Sequence, residues 1–136
     1  MRVHVLDANA LYRFLLNQPG AEIVEGLFQR ARDANTSLMI SVINWGEVYY
    51  NIAKRQGFPD AQEFMARVRL LPLRVVSADE PITEAAARLK SGHGLPYADC
   101  FAAAIAGKTN VLVTADVKDF KRIPWLKVLA LPPHTP

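Results

Sequence analysis

The feature that most constrains this chain is an alternation: short runs of β-branched and apolar residues are separated by longer segments of helical period. Arg2 to Leu6 reads as a strand ending at Asp7. Ser37 to Ile40, Leu73 to Val76, Val111 to Thr114 and Lys127 to Leu131 repeat the pattern. Between them lie segments whose apolar residues recur three and four apart. Ala10 to Asn17 reads as a helix broken at Gln18-Pro19-Gly20, and Ala21 to Ala34 carries the stripe Ile23, Val24, Leu27, Phe28 and Ala31. Strands that alternate with helices imply parallel pairing, with helices on both faces of the sheet. The expected architecture is a three-layer α/β sandwich around a mostly parallel sheet of four to five strands.

Local signals place the remaining boundaries. Ser41 is an N-cap for a helix carrying Val42, Trp45, Val48, Tyr49 and Ile52, which stops near Gly57. Phe58-Pro59-Asp60 opens another helix that ends before Pro72. Asp79, with Pro81 just after it, starts a helix that fades at Ser91-Gly92-His93-Gly94, a stretch read as a loop. Pro96 starts a helix through Ala106, closed by Gly107. Pro132, Pro133 and Pro136 mark a frayed tail. With 136 residues, no internal repeat and no linker, the chain is expected to form one domain over residues 1–136.

Composition excludes more than it assigns. At 51% apolar and 21% charged residues, the chain lies far from the disordered class. The net charge of +3 suits an anionic partner without requiring one. The lone Cys100 rules out an intrachain disulfide framework and reads as a buried thiol. The opening apolar run stops at Asp7, too short for a signal segment, and no run approaches the roughly twenty apolar residues of a membrane span. A cytoplasmic protein without membrane contact is therefore expected.

The chemistry is sought where open α/β sheets bind ligands, beyond the carboxyl ends of the strands. Asp7 follows the first strand directly, and Asp116 follows Thr114 by two residues. Glu47 lies inside an apolar and aromatic helix, and Asp99 lies in the first turn of a helix made almost wholly of core-sized residues. Ionised groups beside so much buried surface need a partner or a metal. Each acid also has an ordinary structural reading: Asp7 and Asp116 as caps, Asp99 as an acid favoured by its helix dipole, and Glu47 as a face residue. Only convergence of all four would make a site, because carboxylates meeting at one sheet edge repel unless cations neutralise them.

Four segments carry a resemblance. Val5-Leu6-Asp7-Ala8-Asn9-Ala10-Leu11 resembles the opening of PIN-domain nucleases, and Ser41-Val42-Ile43-Asn44-Trp45-Gly46-Glu47-Val48 resembles their second motif. Leu95-Pro96-Tyr97-Ala98-Asp99-Cys100-Phe101 and the two alanines after it resemble the third, and Val111 to Phe120 resembles the fourth. The order and spacing match over nearly the whole chain, and the size is closest to the VapC-type toxins of prokaryotic toxin–antitoxin pairs. The resemblance implies a PIN-like fold and an endoribonuclease dependent on Mg²⁺ or Mn²⁺. It also implies a cognate antitoxin and a homodimer. Asp7, Glu47, Asp99 and Asp116 would form the catalytic metal site, supported by Asn9, Thr114 and Asp119. Many family members have Ser or Thr where Asn9 stands.

Within the fourth motif, Asp116 is assigned to the metal and Asp119 to a supporting or capping role, because Asp116 stands nearer the strand end. Lys118, Lys121 and Arg122 are placed to flank an RNA backbone, and Lys90 and His93 to reach phosphate. Apolar and aromatic positions on the short N-terminal helices independently suggest a homodimer.

Rival readings fit less of the chain. A haloacid-dehalogenase-type phosphotransferase needs a second acid two residues after its nucleophilic aspartate, where this chain has Asn9. A response-regulator receiver needs paired acids at the first strand and a phospho-acceptor after the third, where Ser77-Ala78 stand. A non-catalytic RNA-binding or assembly module of the same fold would have no use for the acid set.

Overall fold

The computed structural model describes residues 2–133. The chain opens with β1 (Arg2–Leu6), α1 (Ala8–Leu15), α2 (Ala21–Arg32) and β2 (Thr36–Ser41). It continues through α3 (Val42–Gln56), α4 (Phe58–Val68), β3 (Arg74–Val76), α5 (Glu80–His93) and α6 (Tyr97–Ala106). It closes with β4 (Val111–Thr114), α7 (Val117–Phe120) and β5 (Lys127–Ala130). All five strands pair in parallel in the order β3-β2-β1-β4-β5. The sandwich expected from the sequence is present, with a wholly parallel sheet.

Strand alternation separates two cores. Leu6, Leu38, Ile40 and Val113 pack against α1 to α4, whereas Val5 and Leu112 pack against α5 and α6. The expected caps form: the Ser41 hydroxyl accepts the Ile43 N–H at 3.1 Å, and Asp79 accepts that of Ile82 at 3.0 Å. Cys100 is buried and unbridged. Among the described residues, no helix is long and apolar enough to cross a membrane.

Several boundaries differ from the sequence reading. The first helix begins at Ala8, because Asp7 caps it, and ends at Leu15. The stretch from Ser91 to His93 is helical, and only Gly94 leaves the helix, in a left-handed conformation (φ 71°) that a residue without Cβ adopts freely. Pro132 is not frayed. Its carbonyl accepts from the buried Arg13 guanidinium, and Gly20 lets the chain before it pass close, since a Cβ there would stand 3.2 Å from Leu131 and Pro132. Pro136 lies outside the described residues.

The ground on which the sequence suggested a homodimer is not met on these helices. Among the described residues, α1 and α2 carry none of the large exposed apolar side chains. Those are Ile43 and Tyr50 on α3, Phe58 on α4, and Leu70, Val75, Tyr97 and Trp125 elsewhere. The larger apolar groups of α1 and α2 are at least partly buried against the core, with the Phe14 and Phe28 rings 4.8 Å apart.

Candidate active site

The chain reverses its direction of strand addition at β1, so the crevice between the carboxyl ends of β1 and β4 is the switch point of the sheet. Leu6 pairs with Val113, and the Asp7 N–H donates to the Val113 carbonyl at 3.2 Å, which sets Asp7 beside Thr114. Asp7 is 4% exposed and uses both oxygens: Oδ1 accepts the Ala10 N–H at 2.8 Å, and Oδ2 accepts the Thr114 hydroxyl at 2.5 Å. The same hydroxyl oxygen accepts the Asp116 N–H at 2.9 Å. One buried threonine therefore positions two acids.

Asp116 is the N-cap of α7, accepting the Asp119 N–H at 3.4 Å. The capping role expected of Asp119 thus belongs to Asp116. Asp119 instead lies 3.7 Å from the Arg122 guanidinium. On the opposite side, Glu47 is oriented by Asn44, whose side-chain N–H₂ donates to Glu47 at 2.9 Å and to the Ala98 carbonyl at 3.1 Å. Asn44 is fully buried and ties α3 to the start of α6, one residue before Asp99. It had no role in the sequence reading. Its signal was a polar amide among the apolar residues of a first turn, three residues before the glutamate.

Asp7, Glu47, Asp99 and Asp116 line one cavity of about 610 Å³, together with Asn9, Tyr12, Arg13 and Asn51. The last three were also missed by sequence reasoning. Asn9 reaches the cavity wall, and its Oδ1 is buried with no hydrogen-bond partner among the described residues. Asp99, Asp116 and Asp119 each offer a carboxylate oxygen, all within 4.8 Å of one another. Lys118, Lys121 and Arg122 stand exposed on and after α7, and Arg122 also donates to the Gly94 carbonyl at 3.4 Å. Lys90 and His93 occupy the last turn of α5 and do not line the cavity.

The electrostatics follow from crowding in a dry place. Burial raises the Asp7 carboxyl from 3.8 to about 6, against the lowering effect of its two hydrogen bonds and with help from the charges of Asp116 and Glu47. Burial raises Asp99 to about 7, aided by Asp7, Asp116, Glu47 and Asp119. Asp116 is raised as well, by burial and then by Asp119. Positive charge offsets these acids only in part: Arg122 lowers Asp116 against the stronger raising effects, and the Arg13 guanidinium on the cavity wall donates to the Pro19 and Pro132 carbonyls. Hard carboxylate oxygens, clustered and under-neutralised beside an unsatisfied amide oxygen, are the donor set that suits Mg²⁺ or Mn²⁺.

The PIN domain family model matches residues 4–126. The chain belongs to the PIN domain family. Several solved structures share its fold. VapBC2 from Rickettsia felis, bound to a DNA fragment from its promoter, is 22% identical, with a TM-score of 0.76 over 95% of this chain and 98% of that one. DNA-bound VapBC from Salmonella typhimurium is 20% identical, with a TM-score of 0.77 over 96% and 98%. VapC20 from Mycobacterium tuberculosis, a sarcin–ricin loop cleaving toxin, is 19% identical, with a TM-score of 0.57 over 80% and 86%. Comparison with curated proteins finds no match. Within this PIN domain all four acids border one crevice, and the two amides and the threonine that hold or flank them come from α1, α3 and β4.

Proposed function

We propose that this PIN domain is a Mg²⁺- or Mn²⁺-dependent endoribonuclease that hydrolyses RNA phosphodiester bonds as the toxin of a toxin–antitoxin pair. The observation that carries the proposal is the meeting of Asp7, Glu47, Asp99 and Asp116 around one cavity at the switch point of the sheet. The shared fold of VapBC complexes and of a toxin that cleaves the sarcin–ricin loop supports the substrate class and an antitoxin partner. A homodimer acting in the cytoplasm belongs to the same proposal.

Asp7, Asp99 and Asp116 would hold the metal with Glu47, and Asp119 is close enough to Asp99 and Asp116 to join them. A bound divalent ion supplies Lewis acidity, polarising the phosphoryl group and lowering the pKa of a water nucleophile. The chain's own contribution is orientation. Thr114 and the Ala10 N–H fix both oxygens of Asp7, and Asn44 fixes Glu47, so the carboxylates need little rearrangement when a substrate arrives. Lys118, Lys121 and Arg122 give the rim beside α7 the charge to guide a phosphate backbone toward these acids.

The test is incubation of purified protein with total RNA. Cleavage is expected with Mg²⁺ or Mn²⁺ and none in EDTA. RNA left intact with both metals, by a protein shown to be folded, overturns the proposal.

A further inference from the structure

The cavity extends beyond the acid cluster: besides the carboxylates, it is lined by Asn9, Tyr12 and Arg13 of α1 and by Asn51 of α3. On α3, Glu47 and Asn51 stand one turn apart on the same face, and Arg55 continues that face. On α1, Asn9 and Tyr12 share a face in the same way.

This wall differs chemically from the acid end. Tyr12 is half-buried, with its ring packed against the core beneath α1 and its remaining surface on the cavity. Its hydroxyl is 3.4 Å from the Arg55 guanidinium, which donates to it. The Asn51 carboxamide is exposed in the cavity wall and makes no hydrogen bond to a described residue. Arg13 holds the wall in place, donating to the Pro19 carbonyl at 3.0 Å and to that of Pro132. The trough thus presents carboxylates, then an aromatic ring and a free amide, and the Arg55 guanidinium lies outside its lining, beside the Tyr12 hydroxyl.

From this arrangement we infer that the trough between α1 and α3 is a subsite for one unstacked nucleobase of single-stranded RNA, with Tyr12 as its stacking face and Asn51 reading its edge. The inference rests on the RNA substrate proposed above. An aromatic face gains stacking energy from any base, whereas a carboxamide offers a donor and an acceptor to the base edge. Arg55, beside the Tyr12 hydroxyl and outside the cavity lining, carries a charge suited to a neighbouring phosphate. A base held in a duplex cannot enter such a trough, so the substrate is an unpaired segment.

Binding by fluorescence anisotropy tests the subsite separately from cleavage. Short single-stranded oligoribonucleotides carrying one abasic position, walked along the strand, are titrated with Asp7→Asn protein in Mg²⁺. One abasic position is expected to weaken binding by about tenfold, in line with the loss of a single base–aromatic stack. Adding Tyr12→Ala should remove that sensitivity, adding Asn51→Ala should reduce it, and adding Tyr12→Phe should retain it. Mn²⁺ titration of Tyr12→Ala and Asn51→Ala in the wild-type background should match wild type, showing that fold and acid cluster are intact. Equal affinity for every abasic position, or undiminished sensitivity in Tyr12→Ala, overturns the inference. Cleaving wild-type protein without a sensitive position defeats the subsite alone. Position-sensitive binding by protein that does not cleave defeats the nuclease alone.

Discussion

Two buried polar pairs stand three residues apart, one on the central strand β1 and one just past its end, and they use the same device to opposite ends. At the amino side, the His4 Nδ1–H donates to the Thr36 hydroxyl oxygen at 2.7 Å, and that hydroxyl donates onward to the Arg2 carbonyl at 2.9 Å. At the carboxyl side, Asp7 accepts from the Thr114 hydroxyl, whose oxygen accepts from the Asp116 N–H. His4 and Asp7 are each 4% exposed, and burial pushes each toward its neutral form. The pair at His4 is self-sufficient: burial first, and then the neighbouring cations Arg30 and Arg2, favour the neutral imidazole. Asp7 opens on a cavity with three further acids, and hydrogen bonds within the chain do not offset their charge. A polar group buried for structure finds its partners inside the fold. A group buried for function is left needing a partner from outside.

The largest effect expected from breaking this contrast is at Asp7. Asp7→Asn should lower the cleavage rate by about two orders of magnitude or more, while its thermal midpoint in EDTA stays equal or rises. Asparagine still caps α1, and the repulsive cluster loses a charge. Rate assays paired with calorimetry check both halves. Unchanged cleavage refutes the catalytic role of Asp7, and a lowered midpoint refutes the claim of repulsion.

A smaller effect separates the two ends by pH. Asp7 and Asp99 bind protons more tightly folded than unfolded, between about 4 and about 7. In metal-free protein they therefore make stability fall as pH rises through that window. His4 has the opposite sign. Its folded pKa lies below 6.5, so the unfolded chain takes up more protons and stability falls as pH drops below 6.5. Urea midpoints in EDTA across this range should show an acid-side loss in an Asp7→Asn, Asp99→Asn double variant. His4→Gln should show a steeper alkaline loss than wild type. Identical profiles for the three proteins count against the assigned environments. Saturating Mg²⁺ should flatten the alkaline loss in wild type, because the ion binds the ionised folded cluster.

The smallest effect compares the two threonines. Thr36→Val should cost about 2 kcal/mol of stability, typical of two lost hydrogen bonds, and leave cleavage untouched. Thr114→Val should cost a similar amount and also weaken Mn²⁺ binding, because it frees both Asp7 and Asp116. Chemical denaturation and metal titration distinguish them. Equal metal affinity in the two variants removes the positioning role of Thr114.

Much of this was readable along the chain, because local rules govern it. Periodicity located the five strands and all the longer helices, and Ser41 and Asp79 marked their helix starts through side-chain capping that spans three residues. The helix end at His93 was missed because Ser91 and Gly92 weaken local propensity, while α5, packed along α6, runs on to its left-handed stop at Gly94. The single turn of α7 is too short for periodicity and is held by the Asp116 cap. The tail was misjudged because Pro132 is fixed by Arg13, more than a hundred residues earlier in sequence.

The sequence by itself determined the alternation, the layer architecture and which acids stand at strand ends, since each follows from residue type and short-range spacing. Only the tertiary structure decided that β1 lies beside β4, and hence that Asp7 shares a hydroxyl with Asp116 across a separation of more than a hundred residues. It likewise decided that Asn44 bridges Glu47 to α6 and that Tyr12 and Asn51 face one trough. Such meetings depend on strand order and helix packing, which arise from the burial of the whole apolar surface at once and leave no mark at any one position.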